Sequence, residues 1–253
     1  MSVQNSADVN TRPLILSEYP IALRKDNETI IQDASRTAVL KSRTLMAKQA
    51  VDSAIVVAAG GSNTGNGTVT LATVVGLNTL GEKIIPKAGA WVFTLTAALV
   101  GKITDPDGVD VITGIALNDG TTTVVKYAGL QFTVTDGATA FVAGDLFTLT
   151  VAANGKWTPY DASSILGADK PMGIYDPEGA IGDITAAALV AGDIEDIPIL
   201  ISGARFDSSL LVIENSGSLS DMVSDTGLTV EEYLRNKSLI AEGAIAGSSA
   251  ENS

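Results

Sequence analysis

The chain has no cysteine and no histidine among its 253 residues, and aromatic side chains make up only 5% of it. Without cysteine there is no disulfide framework, no thiolate metal site and no thiol nucleophile. Without histidine, every imidazole-based triad, proton shuttle and zinc site is excluded. Basic residues are also few: 16 Lys and Arg stand against 29 Asp and Glu, a net charge of −13. That balance and a pI near 4.3 argue against binding along a phosphate backbone, which needs clustered Lys and Arg. Long apolar runs are missing as well. The best candidates, Ala90–Val100 and Ile184–Ala191, fall short of the ~20 residues of a membrane-spanning helix. The start, Met1–Pro13, lacks the apolar core of a signal peptide. The sequence therefore reads as soluble and intracellular in origin, with the Asn-x-Ser/Thr triplets at Asn27, Asn66 and Asn236 as chance matches.

Charge is unevenly spread. Residues 1–50 hold 7 basic and 5 acidic side chains, a balance of +2, while the remaining 203 hold 9 and 24, a balance of −15. A mildly basic leader on an acidic body suggests an arm that reaches for an acidic surface, although a solvated tail has the same composition. Within that leader Leu14-Ile15-Leu16 and Tyr19-Pro20-Ile21-Ala22-Leu23 are apolar and flanked by Arg12, Glu18, Arg24 and Lys25. Such a segment can add a strand to a partner's sheet edge, or pack on its own domain.

The dominant local pattern is alternation with a period of two. Trp91, Phe93 and Leu95, then Leu130, Phe132 and Val134, then Phe147, Leu149 and Val151 each mark one face of a strand. Turn chemistry separates them: Asp105-Pro106-Asp107-Gly108, Asn118-Asp119-Gly120, Asp136-Gly137 and Gly144-Asp145. The spacing predicts an all-β module over about 65–153, a β-sandwich or small barrel. Gly60–Gly67 leads into it and Ala153-Asn154-Gly155 leads out, so it reads as inserted between two halves of a second β domain. Ala38-Val39-Leu40 and Thr44-Leu45-Met46 before it, and Ile197–Ile201 after it, read as strands. Pro198 cannot donate to a ladder, which places it on an edge or at an unpaired position. Helix is scarce. Thr229 with Glu232 three residues on forms a capping-box pattern that opens a short C-terminal helix, and beyond Glu242 the chain reads as a frayed tail.

With Cys and His absent, carboxylates, Lys and Tyr are the remaining acid–base groups. The densest acidic clusters, Asp105/Asp107/Asp110, Asp176/Glu178 and Asp193/Glu195/Asp196, all fall at turns, where Asp is favoured for backbone hydrogen bonding. They lack the aromatic-lined cleft of a glycosidase pair, and Asp105–Asp110 lacks the spacing and bidentate Glu of a calcium loop. Gly60-Gly61 lacks the Lys and the following helix of a phosphate loop. No catalytic residue, metal ligand or cofactor is expected, and the profile is that of a protein acting through surfaces.

The order of several short pieces resembles the head decoration, or capsid cement, proteins of tailed bacteriophages. These pieces are Gly155-Lys156-Trp157-Thr158-Pro159-Tyr160-Asp161, Lys170-Pro171-Met172-Gly173-Ile174 and Asp196–Ala204, preceded by Glu18-Tyr19-Pro20 and Thr44–Lys48. The tail Leu228–Arg235 resembles the closing helix of related phage head proteins. The resemblance covers about 14–50 and 154–240, and the interruption at 51–153 departs from it. It implies a mainly β fold: a small β-barrel or β-tulip-like decoration domain, interrupted by a β-sandwich-like domain, with one short C-terminal helix. On it, residues 1–30 are a capsid-binding arm, 31–60 plus 154–240 the decoration-like domain, 61–153 the inserted module and 241–253 a flexible tail. It further implies a non-enzymatic virion protein on the outer capsid surface, made in the host cytoplasm, that stabilises the phage head. The partner would be the major capsid protein, bound as a homotrimer, with no nucleic acid, membrane or cofactor. Capsid contact would fall on Leu14, Ile15, Tyr19, Pro20, Ile21 and Arg24. An alternative makes the inserted module a host-surface or glycan-binding adhesin.

Overall fold

A computed structural model describes residues 15–18, 24–78, 80, 82–177, 182–214, 217–223 and 226–242. The chain divides into two compact units, one comprising Met1–Lys48, Lys156–Ala162 and Ala168–Ser253, the other Gln49–Gly155 and Ser163–Gly167. The first unit begins with β1 (Ile15–Glu18), β2 (Arg24–Ile30) and β3 (Leu45–Lys48). The second holds β4 (Val51–Ala59), β5 (Thr68–Val74), β6 (Gly89–Ala97), β7 (Val100–Thr104), β8 (Asp110–Ala116), β9 (Thr122–Tyr127), β10 (Leu130–Thr135) and β11 (Leu146–Ala153). The first then resumes with β12 (Trp157–Pro159), β13 (Pro171–Tyr175), α1 (Ala186–Ala191), β14 (Ile194–Ser202), β15 (Ala204–Asp207), α2 (Val230–Asn236) and β16 (Leu239–Glu242). The architecture is mainly β with short helices, as the alternation and turn chemistry predict.

The second unit is an eight-stranded sheet in the order β8-β7-β6-β11-β4-β5-β10-β9. The period-two residues fix its faces. Phe147, Leu149 and Val151 of β11 pair with Phe93, Trp91 and Gly89 of β6 and with Ala59, Val57 and Ile55 of β4, and the large side chains of this set point into one core. The sheet curls until Phe93 of β6 meets Phe132 of β10 edge to face, with ring centroids 5.4 Å apart. That geometry favours aromatic pairs through their quadrupoles. The two outer strands of the order are also tied: Tyr127 on β9 donates its hydroxyl to the carbonyl of Val111 on β8 at 2.8 Å.

In the first unit β12-β2-β14-β13-β3 form a closed barrel, and β1-β15-β16 form a three-stranded sheet. Trp157, Tyr175, Met46, Ile197 and Ile199 belong to one of its cores, and Phe206, Leu234, Leu239 and Tyr160 to the other. Thr229 caps α2 as its spacing predicts: its hydroxyl accepts from the Glu232 N–H, and the Glu232 carboxylate accepts from the Thr229 N–H at 2.8 Å.

Two local readings change, and one of the two alternatives given for Pro198 holds. Ala38-Val39-Leu40 is not a strand; Leu40 makes only an isolated bridge to Ile184. The apolar run at Ile184–Ala191 becomes α1, capped by the Thr185 side chain, which accepts from the Ala188 N–H. Pro198 is not on an edge strand, because β14 lies between β2 and β13 in the closed barrel. Its carbonyl faces the N–H of Asp176, one residue past the end of β13. In an extended chain N–H and C=O of one residue point the same way, so the missing donor falls where that ladder has ended.

Candidate functional site

In the acidic clusters singled out at turns, Asp105 is occupied by the backbone of its own turn, and Asp107, Asp110 and Asp193 by lysines; Glu178 lies outside the described residues. Asp105 accepts from the N–H groups of Asp107 (3.0 Å) and Val109 (2.9 Å) through Oδ1. Lys87 joins it from outside, bonding both Asp105 and Asp107. The Val109 N–H above all, with Lys87, holds Asp105 below the usual carboxylate range. Asp110 is lowered by Lys102 and Thr104, and Asp193 by Lys156 and the Gln32 N–H. Asp145 is buried, and burial pushes its carboxyl up. The N–H groups of Val142, Thr64 and Gly65, at 2.7–3.0 Å, outweigh that and hold it low.

A general acid at neutral pH needs a raised carboxyl, whereas these four shift the other way. The shifted tyrosines are held neutral instead. Burial, with Asp183 nearby, takes Tyr175 to about 12 while its hydroxyl donates to the Gly182 carbonyl; burial also raises Tyr160. Among the described residues no group of three or more Asp or Glu side chains converges as a metal site. No helix among them is long and apolar enough to cross a membrane.

Of the residues assigned to capsid contact, Ile15 lies in β1 opposite Phe206 of β15, and Arg24 opens β2 opposite Ser202 of β14. Leu14, Tyr19, Pro20 and Ile21 lie outside the described residues.

Two surface features stand out that the alternation pattern alone does not show. The first is apolar and sits on the outer face of the second unit. Ala54 of β4 pairs with Thr73 of β5, and Val56 and Leu71 lie two residues beyond that pair on the same side of it. Val56 is 67% exposed and Leu71 77%. Leu71 has a left-handed backbone, φ 49°, beside the register shift between β5 and β10. Such a bulge re-aims a side chain, at a steric cost of about 1–2 kcal/mol for a residue other than glycine. Ala54 and Ala58 are exposed on the same strand as Val56, and Thr148 and Thr150 continue the outer face on β11.

The second feature is a cavity of about 430 Å³ in the first unit, lined by Lys41, Ser42, Arg43, Asp183, Leu210 and Val212 with Ser209. Asp183 accepts from the Ser42 N–H (2.7 Å) through one oxygen and from Lys41 Nζ (2.9 Å) through the other. These contacts, the Ser42 N–H first, hold its carboxyl low. A smaller cavity of about 220 Å³ is acidic, with Asp33, Asp161 and Glu214 around Arg36. There the guanidinium is engaged by Glu214 and by the carbonyls of Ala38 and Val39.

No family model and no curated protein matches the chain. Among solved structures, FlgL of Xanthomonas campestris matches at 20% identity with a TM-score of 0.32, over 45% of this chain and 33% of its own. The flagellar junction protein FlgL of Legionella pneumophila matches at 13% identity with a TM-score of 0.30, over 45% of this chain and 35% of its own. The chain thus spans about a third of the length of the structures it matches.

These neighbours are flagellar proteins, not phage head proteins, and they overturn the decoration-protein identity. The assignments that rested on it are corrected with it: head stabilisation, the adhesin alternative, the major capsid protein as partner of a homotrimer, and the virion as location. The physical reason lies in the pieces that carried the resemblance. Gly155 and Gly203 have φ of 74° and 80°, so they are glycines because their turns demand a left-handed residue. Short strands punctuated in this way recur in β domains of any descent. At these TM-scores the flagellar likeness assigns no role to this chain either.

Proposed function

We propose that the chain is a non-enzymatic structural protein that joins a larger protein assembly through the outer face of its eight-stranded unit. The observation that carries this reading is that Val56 and Leu71, on neighbouring strands beyond the Ala54–Thr73 pair, are both aliphatic and both mostly in water, Leu71 on a left-handed backbone. A contiguous apolar patch on a soluble surface marks a contact, whereas single exposed aliphatics do not. Turn carboxylates tied to their own backbone, in a chain without His or Cys, suit a protein that works by contact.

Burying both side chains against a partner stabilises the contact by about 3 kcal/mol or more, at least a hundredfold in affinity. The test is density-gradient sedimentation of the protein from the cell that makes it. The wild type is expected in a high-mass fraction, and Val56→Asp/Leu71→Asp near the 25.9 kDa of the free chain, with its near-ultraviolet dichroism unchanged. Wild-type protein running as a free chain, or a double variant that still sediments with the assembly, overturns the reading.

A further inference from the structure

Independently of the outer face, we propose that β9, which ends the eight-stranded sheet, pairs antiparallel with β9 of a second copy of this chain. The side of β9 that meets β10 is fixed by its ladder. Ala128 and Gly129, with φ of 47° and 81°, make a two-residue hairpin turn between Tyr127 and Leu130. That closing pair, and the Asp136 N–H on the Thr121 carbonyl, set the odd-numbered residues of β9 against β10. The N–H and C=O groups of Thr122, Val124 and Lys126 therefore point away from the sheet. Asn118 Nδ2 covers the Thr122 carbonyl at 3.3 Å. Among the described residues no group covers those of Val124 and Lys126.

The two edges of the sheet are not equivalent. β9 runs against β10 through six consecutive pairs without a shift. β8, at the other edge, shifts register twice against β7, has Gly114 at φ 74°, and gives its Val111 carbonyl to Tyr127. Bulges of this kind blunt an edge against pairing. A contact of β9 with β8 would also repeat head to tail without closing, whereas β9 on β9 closes as a twofold pair. Charge selects the same occupant and direction. Lys126 is the only charged residue of β9. Asp119 and Asp136 flank the strand's other end, where Asp136 accepts from the Gly120 N–H at 3.5 Å. With Val124 opposite its own counterpart, each Lys126 lies across from Thr122 of the second copy, toward that copy's acidic end. Val124, 56% exposed, meets itself at the centre, and β-branched pairs across strands are favourable. One strand edge, about 20 Å long, covers less than a standard interface. The pair therefore forms in concentrated protein, and the dilute chain of a density gradient is single.

The test is sedimentation equilibrium of the full chain over a dilution series. The wild type is expected to rise from 25.9 kDa toward twice that mass as concentration increases. Val124→Asp and Val124→Lys each set like charges opposite one another and should raise the dissociation constant about tenfold. An equimolar mixture of the two should regain the wild-type mass, because only self-pairing at Val124 sets one against the other. Val124→Pro removes the outward N–H and spares the bonds to β10, so it should weaken pairing as well. The Val56→Asp/Leu71→Asp variant should pair as the wild type does, which separates this contact from the outer face. A wild type that stays at 25.9 kDa throughout overturns the proposal. So do charge variants that pair like the wild type, a mixture no heavier than its components, or loss of pairing in the outer-face variant.

Discussion

Asp145 shows how much of this molecule rests on single polar contacts. Its carboxylate gathers three backbone N–H groups from two segments about 80 residues apart in sequence, next to Asn63, which bonds both the N–H and the carbonyl of Leu146. Asp145→Ala leaves buried donors without an acceptor, a cost of about 1–3 kcal/mol that urea unfolding should register. Because the folded carboxyl is held low, its contribution is fully present above the unfolded value near pH 4 and fades as pH falls through the folded one. Asp145→Asn should therefore flatten the acid limb of the stability profile, and an unchanged limb would count against this role. The sequence shows Gly144-Asp145 as a turn, but the partners at Thr64 and Gly65 are invisible to any local pattern.

At the scale of elements, α2 follows its local sequence closely, because a capping box is a four-residue device, Thr229 to Glu232, and needs no distant partner. Thr229→Ala should cost about 1 kcal/mol in thermal or urea unfolding, and a negligible loss would mean that packing of Val230 and Leu234 alone holds the helix. The strands of the second unit were legible for a similar reason: alternation at Trp91–Leu95 or Phe147–Val151 is local. Helix α1 was hidden because six residues with a threonine cap and no acidic N3 partner resemble any short apolar run. Pro198 was readable only as two alternatives, an edge or an unpaired position, and the second holds, because the rule for proline depends on where the neighbouring strand ends. The larger cavity was not legible at all, since Lys41, Asp183 and Val212 come together from three distant segments.

For the whole molecule, the relevant fact is that each unit has its own core. Phe132 belongs to the second unit, where it meets Phe93, and truncating it leaves a cavity that costs about 3–5 kcal/mol. Calorimetry of Phe132→Ala should lower one unfolding transition and leave the other near its wild-type temperature. Equal displacement of all transitions would show that the two units melt as one. Strand order and closure lie beyond sequence reading at this scale. That β11 pairs with β4 across some ninety residues is fixed by which hydrophobic faces meet in space, and no composition records it.

The closed barrel and the eight-stranded sheet also differ in how they end. A closed barrel has no free rim, whereas an eight-stranded sheet that begins with β8 and finishes with β9 has two rows of backbone groups that another chain could template upon. One phenol, Tyr127 on Val111, draws those rows together. That single tie bears on how far apart the two edge rows stand, and hence on how much room another chain has to pair with either.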